Sequence, residues 1–264
     1  MADLDVLYTD AIATLTMNRP ESRNALSNEM RDEMCDVLHD IEQNPDIRCV
    51  VLKGAGDHFM SGGDVKSFSE LFQGSKDDIR KQFMLHIHAL HPIMFALRRM
   101  PKPVIASVRG AAAGAGVSIA LACDLVIASD DAFFSLAYCH IGTSPDGSST
   151  FQLPRTVGIK RAMEIALLGD RIAAEQAKEW GLINFVASAA DLEAETRKLA
   201  ERLASGPTHV YGRTKALLYR SIQADFEAQL QAEGEAFGDC AMRADFLEGV
   251  TAFVEKRKPS FTGK

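Results

Sequence analysis

The sequence predicts an α/β fold, on three observations. Short apolar, β-prone runs recur through the first half, and most are followed by a small-residue loop and a stretch of helical periodicity. The second half is helical almost throughout. With 264 residues, 47% hydrophobic and 25% charged, the chain has an ordinary globular composition and the length for one large core.

Taken in order, "DVLYTDAIATLTMN" (5–18) reads as two short strands turning at Thr9-Asp10. "NRPESRNALS" is a loop, and Ser27 is placed to cap a helix running to about residue 43. Met30, Met34, Val37, Leu38 and Ile41 share one face of that helix. "CVVLKGAG" (49–56), "PVIASVRG" (103–110) and "DLVIAS" (124–129) read as buried strands. Between them, 77–100 reads as one long helix and "GAGVSIALAC" (114–123) as a short apolar one. After Pro154 the segments 159–169, 173–180, 191–205, 208–238 and 244–258 are all helical in pattern, with no repeat and no linker that splits the chain.

A net charge of −7 argues against nucleic acid or an anionic membrane as a main partner. The five cysteines show no CxxC and no disulfide-like spacing, and read as small buried hydrophobes in a reducing compartment. No signal peptide or membrane-length apolar run is evident, so a cytoplasmic location is expected.

Two loops carry the first functional signal. "HFMSGGDVKSF" (58–68) and "RGAAAGAGVSIA" (109–120) each follow a strand's carboxyl end, where α/β proteins usually build their sites. Their glycines let a ligand approach the backbone, and amides at a helix start are unpaired. Neither a dinucleotide fingerprint nor a P-loop fits the glycine spacing. "GVSIA" (116–120) nearly matches a hydrolase nucleophile elbow, with Ser118 as nucleophile and His209 as base, but Ala120 stands where the motif has glycine. Paired amides aimed at one point make an oxyanion hole, suited to a thioester becoming an enolate. Asp146, in "YCHIGTSPDGSST" (138–150), has two readings: a chemical group, or the cap of a helix starting near Gly147.

The segments "LTMNRPESRNALS", "FMSGGDVKSF", "PKPVIASVRGAAAGAGVSIALACDLVIASDDAFFSL", "LLGDRIAAEQAKEWGLINFV" and "GVTAFVEKRKPSFTGK" resemble the enoyl-CoA hydratase/isomerase family, the crotonase superfamily. The resemblance implies a crotonase-like spiral of ββα turns over 1–200. It assigns 201–264 to a C-terminal helical region for trimerisation and CoA contact. It further implies an acyl-CoA substrate, a trimer or dimer of trimers, and no metal or redox cofactor. Position by position, it makes the amides of Gly63 and Ala115 the oxyanion donors. Asp64 and Lys66 fall where the family wraps CoA. Arg23 and Ala25 fall in the "NRPESRNAL" loop, and Phe253 and Lys256 at C-terminal positions that reach CoA.

The sequence departs from the family's hydratases where two glutamates would hold water: those positions carry Ser118 and Tyr138. Neither is a carboxylate base, which leaves Asp146. An aspartate here is the base in the ring-1,2-epoxyphenylacetyl-CoA isomerase group and the nucleophile in 4-chlorobenzoyl-CoA dehalogenase. The expectation is therefore an enoyl-CoA isomerase using Asp146, with Phe133, Phe134, Leu136 and Tyr138 as an apolar pocket around it. The alternatives are a weak hydratase, a dehalogenase with His91 as accessory and Tyr138 in place of tryptophan, and a catalytically silent member that binds acyl-CoA or RNA, the acidic charge disfavouring RNA. His86 and His88 are assigned nothing. Acyl preference is expected to come from the 69–95 region.

Overall fold

The computed structural model describes residues 2–264. The antiparallel hairpin β1 (Leu4–Thr9) and β2 (Ile12–Met17) turns at Asp10 and Ala11, both left-handed with φ of 52° and 62°. A loop with a short 3-10 turn leads to α1 (Asn28–Gln43). Ser27 caps it by accepting from the Met30 amide at 3.0 Å. Met30, Met34, Leu38 and Ile41 are its buried stripe, each adding roughly 1.5–3 kcal/mol on burial. Val37, on the edge of that stripe, packs only partly against the core. Buried Lys102 donates to the Ile41 and Asn44 carbonyls, both at 2.7 Å, placing a cation on the negative end of α1.

β3 (Cys49–Gly54) follows and pairs in parallel with β2. The stretch read as one helix over 77–100 is two: α2 (Lys76–His88) and α3 (His91–Arg99). The break falls at Ala89-Leu90 because Pro92 has no amide hydrogen to donate to the carbonyl four residues back and its ring crowds that carbonyl, so it sits in the first turn of α3 instead of continuing α2. β4 (Val104–Val108) is wholly buried. Ala111–Ala113, expected as loop, forms a short strand, β5, and α4 (Ala115–Ala122) starts directly after Gly114.

β6 (Leu125–Ser129), β7 (Phe133–Ser135), α5 (Ser149–Thr156), α6 (Gly158–Leu168), β8 (Ile172–Ala173), α7 (Ala174–Glu179) and β9 (Phe185–Ala187) complete the sheets. The larger sheet has the order β1-β2-β3-β4-β6-β9, parallel except for β1, and the smaller one is β5-β7-β8. Single bridges Leu26↔Gly63 and Met60↔Ala112 extend the smaller layer. Successive turns therefore each lay one strand in the large sheet and one short extended piece in the second layer, which is the ββα spiral. α8 (Leu192–Ala204) runs through residue 200 and sets Leu192, Ala200 and Ala204 against the sheet's Cys49, Val51, Ile105 and Ile127.

The segment 208–238, read as continuous helix, breaks between α9 (Thr208–Ser221) and α10 (Phe226–Ala241), where Asp225 caps the second helix by accepting from the Ala228 amide at 2.8 Å. α11 (Ala244–Glu255) closes the helical region. Two partly buried sets of contacts tie this region to the sheet. Lys215 on α9 donates to the Asp124 carboxylate at 2.8 Å, and Asp124 also accepts from the Val104 amide. Arg48, just before β3, donates to Thr208 Oγ1 at 3.0 Å, the Phe261 carbonyl at 3.1 Å and the Gly206 carbonyl at 2.5 Å. Among the described residues, no helix is long and apolar enough to cross a membrane.

Candidate active site

The loop after β3 runs beside β5, because Met60 bridges Ala112 and its carbonyl accepts from the Ala113 amide at 2.8 Å. Close approach here demands glycine. A Cβ at Gly116 would lie 2.5 Å from the Met60 carbonyl oxygen, so no larger residue fits without moving one loop off the other. Gly114, at φ 50° and ψ −120°, turns the chain from β5 into α4. A Cβ built on Gly62 would stand 3.8 Å from the Ala115 nitrogen, so the two loops meet backbone to backbone.

This packing presents two amides together. The neighbours of Gly63 are committed: Leu26 donates to the Gly62 carbonyl and Asp64 donates to the Leu26 carbonyl. The Gly63 amide itself donates to no acceptor among the described residues, and neither does that of Ala115, the first residue of α4. Both residues line one cavity of about 1020 Å³, and the Ala115 amide also lies at the positive end of a helix.

Asp146 lines the same cavity, and its side chain caps nothing. The helix after it begins at Ser149, with Ser148 in the cap position. The two residues standing where hydratases carry glutamates both hold this aspartate. Ser118 donates to its carbonyl oxygen at 3.0 Å, and Tyr138 donates from its hydroxyl to Oδ1 at 2.5 Å. No hydrogen bond reaches Oδ2 among the described residues, which leaves one oxygen of this cavity-lining carboxylate without a partner. Burial pushes the Asp146 carboxyl above the usual carboxylate range, held back by the Tyr138 hydrogen bond and by the charges of His86 and His91. The Tyr138 phenol is driven far up by burial and then by the Asp146 charge, so it stays a donor. The nucleophile-elbow reading fails on geometry: Ser118 is committed to Asp146, while His209 binds Asp239 at 2.9 Å in the helical region.

Of the apolar residues expected around Asp146, only Tyr138 lines the cavity; Phe134 and Leu136 are core, and Phe133 lies beneath the Arg171 guanidinium. The aromatic wall comes instead from Phe68, Phe72 and Phe83, whose rings meet edge-on at 5.5 and 5.2 Å. Phe68 also reaches over Gly63, 3.4 Å from where a Cβ would be. His91 lines the cavity, with its ring 5.2 Å from that of His88. His86, assigned nothing from sequence, lies against Phe68 with ring centroids 5.3 Å apart and faces the cavity. Its pKa is pushed down by burial and by Arg31, against the pull of Asp146. Nothing in the sequence around His86 marks it as a cavity residue; its place follows from the turn between α2 and α3.

The other positions expected to contact CoA lie outside this lining. Arg23 is exposed, and the Ala25 carbonyl accepts from Arg19 at 2.8 Å. Asp64 pairs with the same Arg19 at 3.2 Å, which fixes the loop that carries Gly63. Lys66 is exposed before a 3-10 turn. Phe253, 84% exposed, and Lys256 stand at the end of α11.

Comparison with known proteins agrees with this architecture. A family profile described as Enoyl-CoA hydratase/isomerase matches residues 8–264. The chain is 39% identical over 253 residues to a 1,2-epoxyphenylacetyl-CoA isomerase of Escherichia coli (strain K12), covering 96% of this chain and 95% of that one. It is 33% identical over 257 residues to 4-chlorobenzoyl coenzyme A dehalogenase-1 of Arthrobacter sp, covering 97% and 92%. The crystal structure of a putative enoyl-CoA hydratase/isomerase from Mycobacterium abscessus superposes with a TM-score of 0.93 at 32% identity, over 99% of this chain and 100% of that one. With its spiral, its paired free amides and its match over nearly the whole length, the chain belongs to the enoyl-CoA hydratase/isomerase family.

Proposed function

We propose that the protein moves a carbon–carbon double bond in an acyl-CoA thioester, converting a 3-enoyl-CoA or a related ring-derived thioester to its conjugated 2-enoyl isomer. The observation that carries this reading is a single carboxylate, Asp146, sharing one cavity with the free amides of Gly63 and Ala115. Asp146 Oδ2 takes a proton from C2. The electrons pass into a dienolate whose oxygen accepts from the two amides, and the same carboxyl returns the proton to C4. Atoms and charge balance with no water consumed and no cofactor required. A carboxyl raised by burial is better matched to a weakly acidic carbon, provided it remains ionised at working pH. CoA is expected to lie toward Arg23, Ala25, Asp64 and Lys66, with Phe253 and Lys256 approaching from a neighbouring copy. Exposed Phe226, Phe237, Leu247, Phe253 and Val254 on α10 and α11 support assembly as a trimer or dimer of trimers.

The test compares wild type with Asp146→Asn on a 3-enoyl-CoA in deuterated water. Isomerisation and deuterium incorporation fall together by about 10²–10⁴-fold while CoA thioester affinity holds. Equal rates for the two proteins sink the assignment. One second reading has a specific support: His91 shares the cavity with Asp146, and Tyr138 donates to it where the dehalogenase carries tryptophan. Release of chloride from 4-chlorobenzoyl-CoA decides for that reading. Water-dependent loss of enoyl absorbance decides for a hydratase.

A further inference from the structure

Two serine hydroxyls hold Asp146, and a third follows two residues after it in the chain. Ser118 and Ser149 both donate to the Asp146 carbonyl, at 3.0 and 2.9 Å. The third, Ser148 Oγ, is buried without any partner. Only two other buried side-chain polar atoms among the described residues share that condition, Arg213 Nε and Gln229 Oε1, and neither lines the cavity, whereas Ser148 does. An unsatisfied buried hydroxyl is costly and calls for a reason.

The usual reasons for serine here do not apply. Ser148 is the N-cap of α5, yet its side chain makes no capping bond; its carbonyl accepts from Phe151 and Gln152, both at 2.9 Å. Its φ of 66° is left-handed, a conformation glycine adopts freely and serine adopts under strain. Gly147 before it is also left-handed and cannot be enlarged, since a Cβ there would meet Ser118 Cβ at 2.8 Å. A serine kept in a strained position, with a hydroxyl that neither caps nor packs against a polar partner, is one whose partner arrives with the ligand. Among the residues lining the cavity, Ser148 alone carries such a buried side-chain atom without a partner.

We propose that Ser148 is a specificity-determining residue: its hydroxyl donates a hydrogen bond to an ether, epoxide or hydroxyl oxygen carried by the acyl group close to the carbons on which Asp146 acts. This rests on the acyl-CoA reading of the cavity but not on turnover. The cavity thus selects oxygen-bearing acyl groups over plain hydrocarbon ones, because a site with a buried donor penalises the analogue that leaves it unpaired.

The test uses unreactive, saturated thioesters that differ by one atom. Cyclohexylacetyl-CoA and the three positional tetrahydropyranylacetyl-CoA isomers, each with a ring oxygen for one methylene, are titrated calorimetrically into wild type, Ser148→Ala and Ser148→Gly. Wild type is expected to bind one oxygen isomer about 3–10-fold more tightly than the hydrocarbon, the worth of one net hydrogen bond. Both variants reduce that ratio to about one while holding hydrocarbon affinity. Ser148→Gly also raises the melting temperature, since glycine accepts the left-handed backbone, and so controls for misfolding. Absence of preference in wild type, preference retained in Ser148→Ala, or equal weakening for all four ligands overturns the proposal; the last assigns the hydroxyl to the fold or to a bound water. Failure of every thioester to bind wild type overturns the acyl-CoA reading itself, a result distinct from binding without preference.

Discussion

Tyr138→Phe removes one atom from the site, and the structure fixes what that atom does. The Tyr138 hydroxyl donates to Asp146 Oδ1 at 2.5 Å, the only side-chain hydrogen bond to that carboxylate among the described residues. A short bond to an ionised group is worth about 1.5–3 kcal/mol, and one pKa unit is about 1.4 kcal/mol, so the Asp146 pKa should climb by roughly 1–2 units. The assay is kcat/KM for isomerisation from pH 5 to 9. The acid limb, where Asp146 must lose its proton to act, moves upward by that amount, while the plateau at high pH is kept. Stability gives an independent check. Asp146 already titrates above its ordinary value in the fold, so the folded state favours the protonated form and stability falls as pH rises through the folded pKa. Removing the donor extends that fall to higher pH, so urea denaturation should show a loss at pH 8 that vanishes near pH 4. An unmoved acid limb, or a stability loss equal at both pH values, refutes the hydroxyl as the regulator of this base.

Ala115→Pro deletes an oxyanion donor at the first helical position, where proline is otherwise tolerated; catalysis should fall by about 10²–10³-fold with little change in helicity by circular dichroism. Asp146→Asn should raise the melting temperature at pH 8 and not near pH 4, because the amide removes a charge that burial disfavours. Lys215→Met leaves the Asp124 carboxylate buried and unpaired and should cost about 3–5 kcal/mol in urea titration, most of it recovered by adding Asp124→Asn. Gly116→Ala forces a methyl against the Met60 carbonyl; about 1–3 kcal/mol of stability should be lost, and kcat should drop more than KM rises, as the two loops separate.

What was legible in the sequence followed local rules. Ser27 with its apolar stripe marked α1, and the runs 49–53, 104–108 and 125–129 were long enough in β-branched residues to mark buried strands. The α2–α3 break was written in Pro92 but outweighed by the helical periodicity on both sides of it. Asp146 stood out as the one acid among small residues, yet its two holders are 28 and 8 positions away and meet it only through the spiral. Phe133, Phe134 and Leu136 pointed the wrong way for the same reason. Alternation within a strand says which residues share a face, but not which face is core and which is cavity. The segment 69–95 did supply the lining, through Phe72, Arg80, Phe83, Met84, His86, Ile87, His88 and His91. A histidine between apolar residues on an isolated helix carries no mark of the carboxylate it will face.

The triple grip of Arg48 has a consequence in the order of synthesis. Its guanidinium ends, partly buried, against Gly206, Thr208 and Phe261, the last of them 213 residues downstream. At about 5–20 residues per second, translation supplies that acceptor roughly 10–40 s after Arg48 itself is made. Until then Arg48 can meet the acceptors at Gly206 and Thr208 but lacks its third, the Phe261 carbonyl. Asp245 holds the same downstream segment by accepting from the Thr262 and Gly263 amides at 2.7 and 2.8 Å. The hydrogen bonds at this corner of the sheet are thus completed by the last residues of the chain to be made.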